Sequence, residues 1–255
     1  MRFLLLAFVG FLVGTFVVAL GSGGGSVYVA VLSSLFGLDP SAATTSSLVA
    51  AAPSVAIGTW QYRRTNAIDY RKANRMLLAT VPWAVAFSLG SFLIPKKAYS
   101  WILAAILVIV GAVIIVKAFR GDKEKEKKRP EDKKPKHAFW IYFVSGLLGG
   151  IMVGIGGMSG GEPVLAGLLL LGDNAFETIA SSSWVVFWTG LLGIGAHILG
   201  GGAQWDVVLP LVLGDSVGAF FAPRVARFMT HGGRQKWLMS ALGVLLIAMS
   251  VKTAL

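Results

Sequence analysis

Cysteine is absent from this 255-residue chain. Disulfides, thiolate catalysis and cysteine-based metal sites are excluded with it. Charge is scarce as well, since Asp, Glu, Lys and Arg together make up 14% of the residues. No Gly-Lys-Ser/Thr phosphate loop occurs, and nothing in the hydropathy supplies the βαβ unit of a dinucleotide site. Of the three histidines, only His197 lies within an apolar run, and no nucleophile adjoins it. These absences argue against an enzyme, against ATP use and against a cofactor or metal.

What is abundant is apolar surface. Hydrophobic residues make up 55% of the chain, glycine numbers 32, and mean hydropathy is +0.73. Apolar segments of roughly 17 to 25 residues recur, as membrane helices require, and glycine suits close helix packing in a bilayer. The expected fold class is an all-α polytopic membrane protein, integral to a bacterial or archaeal cell membrane. The net charge of +11 raises the question of nucleic acid, but ten of the 23 Lys and Arg lie between Lys117 and Lys136. Most others flank apolar segments, as the positive-inside rule produces, and no soluble basic domain exists to bind nucleic acid. A solvated cytoplasmic linker is expected at 120–137, between an N-terminal membrane repeat at 1–119 and a C-terminal one at 138–255. A lipid-binding or calmodulin-like role is the alternative for that linker.

A glycine-rich break interrupts the apolar pattern twice. The first is Gly21-Ser22-Gly23-Gly24-Gly25-Ser26, and 136 residues later comes Gly157-Met158-Ser159-Gly160-Gly161-Glu162. At the same offset Gly10, Gly14 and Val17 match Gly146, Gly150 and Val153. One inserted residue then aligns Ala43-Thr44-Thr45-Ser46 with Ala180-Ser181-Ser182-Ser183. This ordered series implies an internal repeat, two homologous halves. It also argues against reading the first residues as a signal peptide, because Phe8 to Ser26 has a counterpart deep inside the chain.

Apolar elements are expected at 3–20, 27–37, 42–60, 75–94 and 98–119, and again at 138–156, 163–172, 177–199, 206–228 and 236–254. The second of each set is too short to cross a bilayer core. It reads as a half-helix or re-entrant arm beside about four transmembrane helices. If that arm counts as a crossing, the repeats are inverted, with 19 basic residues inside and 4 outside. Parallel repeats place 17 inside and 6 outside, so the charge favours inversion.

The break Gly21-Ser22-Gly23-Gly24-Gly25, the run Ala42-Ala43-Thr44-Thr45-Ser46, their echoes and the basic linker together resemble the sulfite exporter TauE/SafE family. The resemblance covers essentially the whole chain outside the linker. It implies a secondary permease or exporter of small sulfur-containing anions such as sulfite or organosulfonates. The second half departs from symmetry by inserting Met158 and ending in Glu162-Pro163, where the first has Ser26-Val27.

The residues point to an anion on their own account. Glycines let backbone N–H groups approach a ligand. Half-helices starting near Ser26 and Pro163 aim their N-termini, each with about half a positive charge, at one point. Expected substrate-binding residues are Gly21, Ser22, Gly23, Gly24, Gly25 and Ser26, with Gly157, Met158, Ser159, Gly160 and Gly161. Thr44, Thr45, Ser46, Ser181 and Ser182 add hydroxyls, with capping or helix packing as the alternative role. Close packing is likewise the alternative for the glycines. Ionisable groups inside apolar segments are functional candidates. Glu162 and His197 are the proton-coupling candidates, against roles as a helix cap and a packing histidine. Asp215 is expected to pair with a basic group. The mechanism these expectations describe is alternating access at a midplane site between the breaks, with protons as coupling ion. An anion channel, an intramembrane enzyme or an assembly factor are the alternatives.

Overall fold

The computed structural model describes residues 2–21, 23–91, 93–120, 137–171, 175–198, 202–230, 240, 244 and 247–248. Ser22, the linker over 121–136 and most of the last expected element at 236–254 lie outside the described residues. Regular structure among the described residues is helical throughout. Helix α1 (Arg2–Leu12) continues through a π-helical turn (Val13–Val17) and a 3-10 turn (Val18–Leu20) into the first break. Then come α2 (Gly25–Ser34), α3 (Pro40–Arg64), α4 (Tyr70–Ser91) and α5 (Lys96–Arg120). Past the linker follow α6 (Ala138–Gly154), α7 (Gly161–Leu170), α8 (Ala175–Ile198) and α9 (Trp205–Thr230). The two short elements are helices of ten residues each, and they start on the glycines themselves.

Polarity is arranged for lipid. Helix α9 exposes Leu209, Leu213, Val217 and Phe220, one stripe at helical spacing. Phe3, Phe8, Phe139 and Trp140 are exposed too, while Thr44, Thr45, Ser46, Ser47, Ser54 and Ser182 are buried. Water penalises an apolar outer face of this kind and a bilayer solvates it. Helices α8 and α9, over Phe176–Gly195 and Trp205–Phe228, are long and apolar enough to cross a membrane; α1, α2, α6 and α7 are apolar but shorter. Pro53, Pro82, Pro210 and Pro223 sit inside helices, where neighbouring segments in a membrane protein re-satisfy the freed backbone groups.

Helix packing crosses between the two halves. Helix α1 and its π-helical turn lie along α9, and α6 lies along α4. Helices α3 and α8 pack on each other, α3 also on α9 and α8 also on α4. Glycines make the outer crossings close. A Cβ at Gly10 would strike the Leu211 backbone, and one at Gly214 would strike that of Ala7. On the other side Gly146, Gly150 and Gly154 abut Ala79, Trp83 and Phe87. Both are small-residue stripes at four-residue spacing, which let helix backbones touch where lipid gives no hydrophobic drive to pack. Each short helix anchors its own apolar cluster. Tyr28, Val29 and Leu32 of α2 pack with Val13, Met158 and Leu211, and Val164 and Leu168 of α7 with Met76, Ile179 and Val185.

Candidate functional site

Both breaks use the same local device. Gly24 precedes α2 with φ 78° and Gly160 precedes α7 with φ 63°, each in the left-handed region. A residue with a side chain pays about 1–2 kcal/mol there, so glycine lets the chain turn sharply onto a new helix axis. The Gly24 carbonyl accepts from the amides of Val27 and Tyr28, both at 3.1 Å. The first amides of the helix have no such partner within it and are left for other acceptors.

The N-terminal turns of α2 and α7 touch. The Gly25 amide donates to the Ser159 hydroxyl at 2.8 Å, and the Ser26 hydroxyl donates to Glu162 Oε1 at 3.2 Å. Ser26, Met158 and Ser159 are buried, and Glu162 is half-buried. Two helix N-termini, the positive ends of their dipoles, therefore meet around one carboxylate. Glu162 places an acceptor of the protein's own at that point.

The long helices reach across to hold the breaks open. Ser182 of α8 donates to the Gly21 carbonyl at 2.9 Å and lies 3.4 Å from that of Gly161. Ser47 of α3 donates to the Gly157 carbonyl at 2.7 Å. Thr44 packs against Gly157, and its hydroxyl lies 3.1 Å from that of Tyr99, which donates to the Ile155 carbonyl. Tyr99 escaped the sequence reading, because an isolated aromatic at the start of α5 carries no local signal of where its hydroxyl goes.

The remaining expected hydroxyls are not brought to the breaks. Thr45 bonds back to the Ser41 carbonyl at 3.0 Å. Ser46 accepts from the Gln204 amide at 3.0 Å, just ahead of α9, and Ser181 from the Asp69 amide at 3.0 Å, just ahead of α4. Each holds the residue just ahead of a helix from the other half of the chain; the cap of α4 is Asp69, whose carboxylate accepts from the Arg71 and Lys72 amides at 3.0 and 3.1 Å. His197 is buried and turned toward the Val153 and Gly154 carbonyls at the end of α6. It packs the approach to the second break and does not line the point where the breaks meet.

A small crevice of about 30 Å³ lies between α3 and α8, lined by Leu48, Ala51 and Val55, by Val186 and Phe187, and by Ser159. Ser159 is its polar side chain and also the acceptor of the Gly25 amide. The crevice thus touches the junction of the two breaks.

An apolar outer surface, buried hydroxyls and two facing helix breaks define a membrane protein of the transporter type. The profile described as Sulfite exporter TauE/SafE matches residues 6–253. The chain is also similar to "Probable membrane transporter protein YunE" of Bacillus subtilis (strain 168), 23% identical over 267 residues, spanning 97% of this chain and 95% of the relative. The chain belongs to the TauE/SafE sulfite exporter family and is a membrane transport protein.

Proposed function

We propose that the protein is a secondary carrier of small sulfur-containing anions, sulfite or organosulfonates, which bind where the first turns of α2 and α7 meet. The observation that carries this reading is the contact of both N-terminal turns around one carboxylate. An oxyanion there gains backbone donors, the Ser26 and Ser159 hydroxyls and two dipole ends in a low-dielectric interior. Glu162 holds the place the substrate needs, so the two negative charges compete. Protonating Glu162 removes the competitor, which links anion binding to proton uptake. His197, packed on the last turn of α6, is the second coupling candidate. The two halves act as inverted repeats and expose the site to each side in turn, as paired broken helices do in other carriers. Membership of a transporter family speaks for transport over catalysis, and the chain has no nucleotide motif to power it.

A thermal-shift panel of small oxyanions on the purified protein checks the site, because a ligand that binds only the folded state at a hundred times its Kd stabilises it by about 2.7 kcal/mol. Flux of sulfite and of isethionate into liposomes checks the transport. Saturation with concentration is expected. Flux that rises linearly marks a channel, and liposomes that pass neither anion remove the substrate class.

A further inference from the structure

Asp215 lies near the middle of α9, on the side that packs against α1 and its π-helical turn. It is 0% exposed, and neither of its carboxylate oxygens closes a hydrogen bond. Tyr28 of α2 and Ser54 of α3 face it. The Tyr28 hydroxyl is itself fully buried and without a closed hydrogen bond, while Ser54 donates to the Ala51 carbonyl at 2.8 Å. Among the described residues no basic side chain pairs with Asp215, so the ion pair expected from the sequence is not formed there.

A carboxylate buried without a counter-charge costs several kcal/mol, and in a membrane protein such groups mark ion or proton pathways. Neutralising it takes a proton or a small cation. Packing decides between them. The Gly14 backbone packs directly on the Asp215 carbonyl and Oδ1, and both carboxylate oxygens are shut off from solvent, which argues against the many-oxygen cage a hard cation gathers. A proton needs no such cage.

Among the described residues, the surrounding elements present one titratable partner, Tyr28. The π-helical and 3-10 turns contain none, and α1 carries only Arg2, at its far end. Helix α3 keeps Tyr62, Arg63 and Arg64 at its C-terminal end and Asp39 ahead of its start. On α9, Asp206 and Arg224 are about two and a half turns away in either direction, with Arg227 beyond. In α8, Glu177 sits in the first turn and His197 is turned toward α6.

We propose that Asp215 is a proton-binding site separate from the anion site, and that Tyr28 transmits its state to the first break. The proposal rests on the carrier reading above. When a proton binds, the new Asp215 O–H donates to the Tyr28 oxygen. When the proton leaves to water, the Tyr28 O–H turns to the carboxylate instead, so donor and acceptor exchange between the two facing groups. Tyr28 stands one helical turn from the break, its amide bonded to the Gly24 carbonyl at 3.1 Å. The π-helical turn opposite Asp215 is a second local departure from regular helix, of the kind that recurs at functional sites.

Two readouts test this separately from the carrier reading. The first is infrared pH-difference spectroscopy of the protein in lipid, which needs no substrate. A protonated-carboxyl band that titrates in the native protein is expected to vanish in Asp215→Asn and to shift, without vanishing, in Tyr28→Phe. Identical spectra for native protein and Asp215→Asn overturn the proposal. If Asp215→Asn does not fold, an unshifted band in Tyr28→Phe overturns it. The second readout is isethionate flux, chosen because this sulfonate does not titrate near neutral pH. One proton per anion sustains about tenfold accumulation for one pH unit. Asp215→Asn is expected to lose that accumulation and retain exchange of isethionate across the membrane. Accumulation that persists in Asp215→Asn, or that is missing from a native protein that does exchange isethionate, overturns the proposal. Native protein that exchanges no anion overturns the carrier reading instead and leaves the infrared bands to decide Asp215.

Discussion

The two breaks share a plan and differ in where each keeps its acid. Each has a left-handed glycine, a ten-residue helix behind it and an opening carbonyl held by a serine of the opposite half. The second break carries Glu162 inside its first turn, bonded to Ser26 of the first. The first break has no acid of its own, and Asp215 lies behind its short helix, against Tyr28. The approaches differ as well. Helix α6 stays regular to Gly154, whereas α1 widens into a π-helical turn beside Asp215. Paired backbone geometry can therefore serve one anion from two directions while the charged groups take unequal roles.

The largest effect expected is from leucine at the capping glycines. Gly24→Leu and Gly160→Leu should both abolish anion flux while the protein still inserts. Both carry left-handed strain of about 1–2 kcal/mol, but what a Cβ meets differs. At Gly24 it meets the Val13 side chain at 2.6 Å, which can move; at Gly160 it meets the Gly149 carbonyl at 2.6 Å, which cannot. Thermal unfolding in detergent should place Gly160→Leu below Gly24→Leu. Gly37→Leu is the control, with φ 64° and nothing within 4 Å. If Gly37→Leu stops flux as well, strain alone explains the result and the breaks lose their special standing.

Next in size is Ser159→Ala. It strips the acceptor from the buried Gly25 amide, at a cost of about 1–3 kcal/mol, and should weaken anion binding at least tenfold in the thermal-shift titration. Unchanged affinity would place the anion elsewhere. Smaller effects are expected from Ser182→Ala and Ser47→Ala, about 1 kcal/mol each, because the freed carbonyls of Gly21 and Gly157 have a second lone pair and short-range relaxation available. The two should be equal within error if the halves are true counterparts, and an unequal pair would break the symmetry at that point. The smallest stability change, under about 1 kcal/mol, belongs to Glu162→Gln, since an amide still accepts from Ser26. Its signature is in flux: the pH dependence should flatten and anion affinity at neutral pH should rise. A profile that keeps its shape leaves Glu162 a helix cap.

Much of the fold was readable along the chain, because hydropathy and glycine act locally. The expected element at 42–60 lies within α3, that at 177–199 runs one residue past α8, and those at 27–37 and 163–172 overlap α2 and α7. Gly24 and Gly160 were legible as breaks, since a left-handed turn in an apolar run has few other solutions. The hydroxyls were not separable in the same way. Ser46 and Ser181 look as suitable as Ser47 and Ser182, yet they accept the amides of Gln204 and Asp69, just ahead of α9 and α4. Neighbouring residues on a helix point about 100° apart, so only the position of the facing helix decides which one reaches a break. Asp215 was conspicuous for its rarity in an apolar segment, but a partner is a property of neighbours in space, and among the described residues no basic side chain pairs with it.

The sequence by itself determined that this is a helical membrane protein, where most of its described helices run, and that glycines break two of its apolar stretches. Those are consequences of local free energy, apolar length against a bilayer and glycine against a bend. Only the tertiary structure decided that the breaks face each other, that Ser159 takes the Gly25 amide across 134 residues of chain, and that Glu162 meets Ser26 while Asp215 faces Tyr28. Close helix crossings at the Gly10–Gly14 and Gly146–Gly154 stripes set those distances, and a packing distance between remote segments has no local signature for a sequence to display.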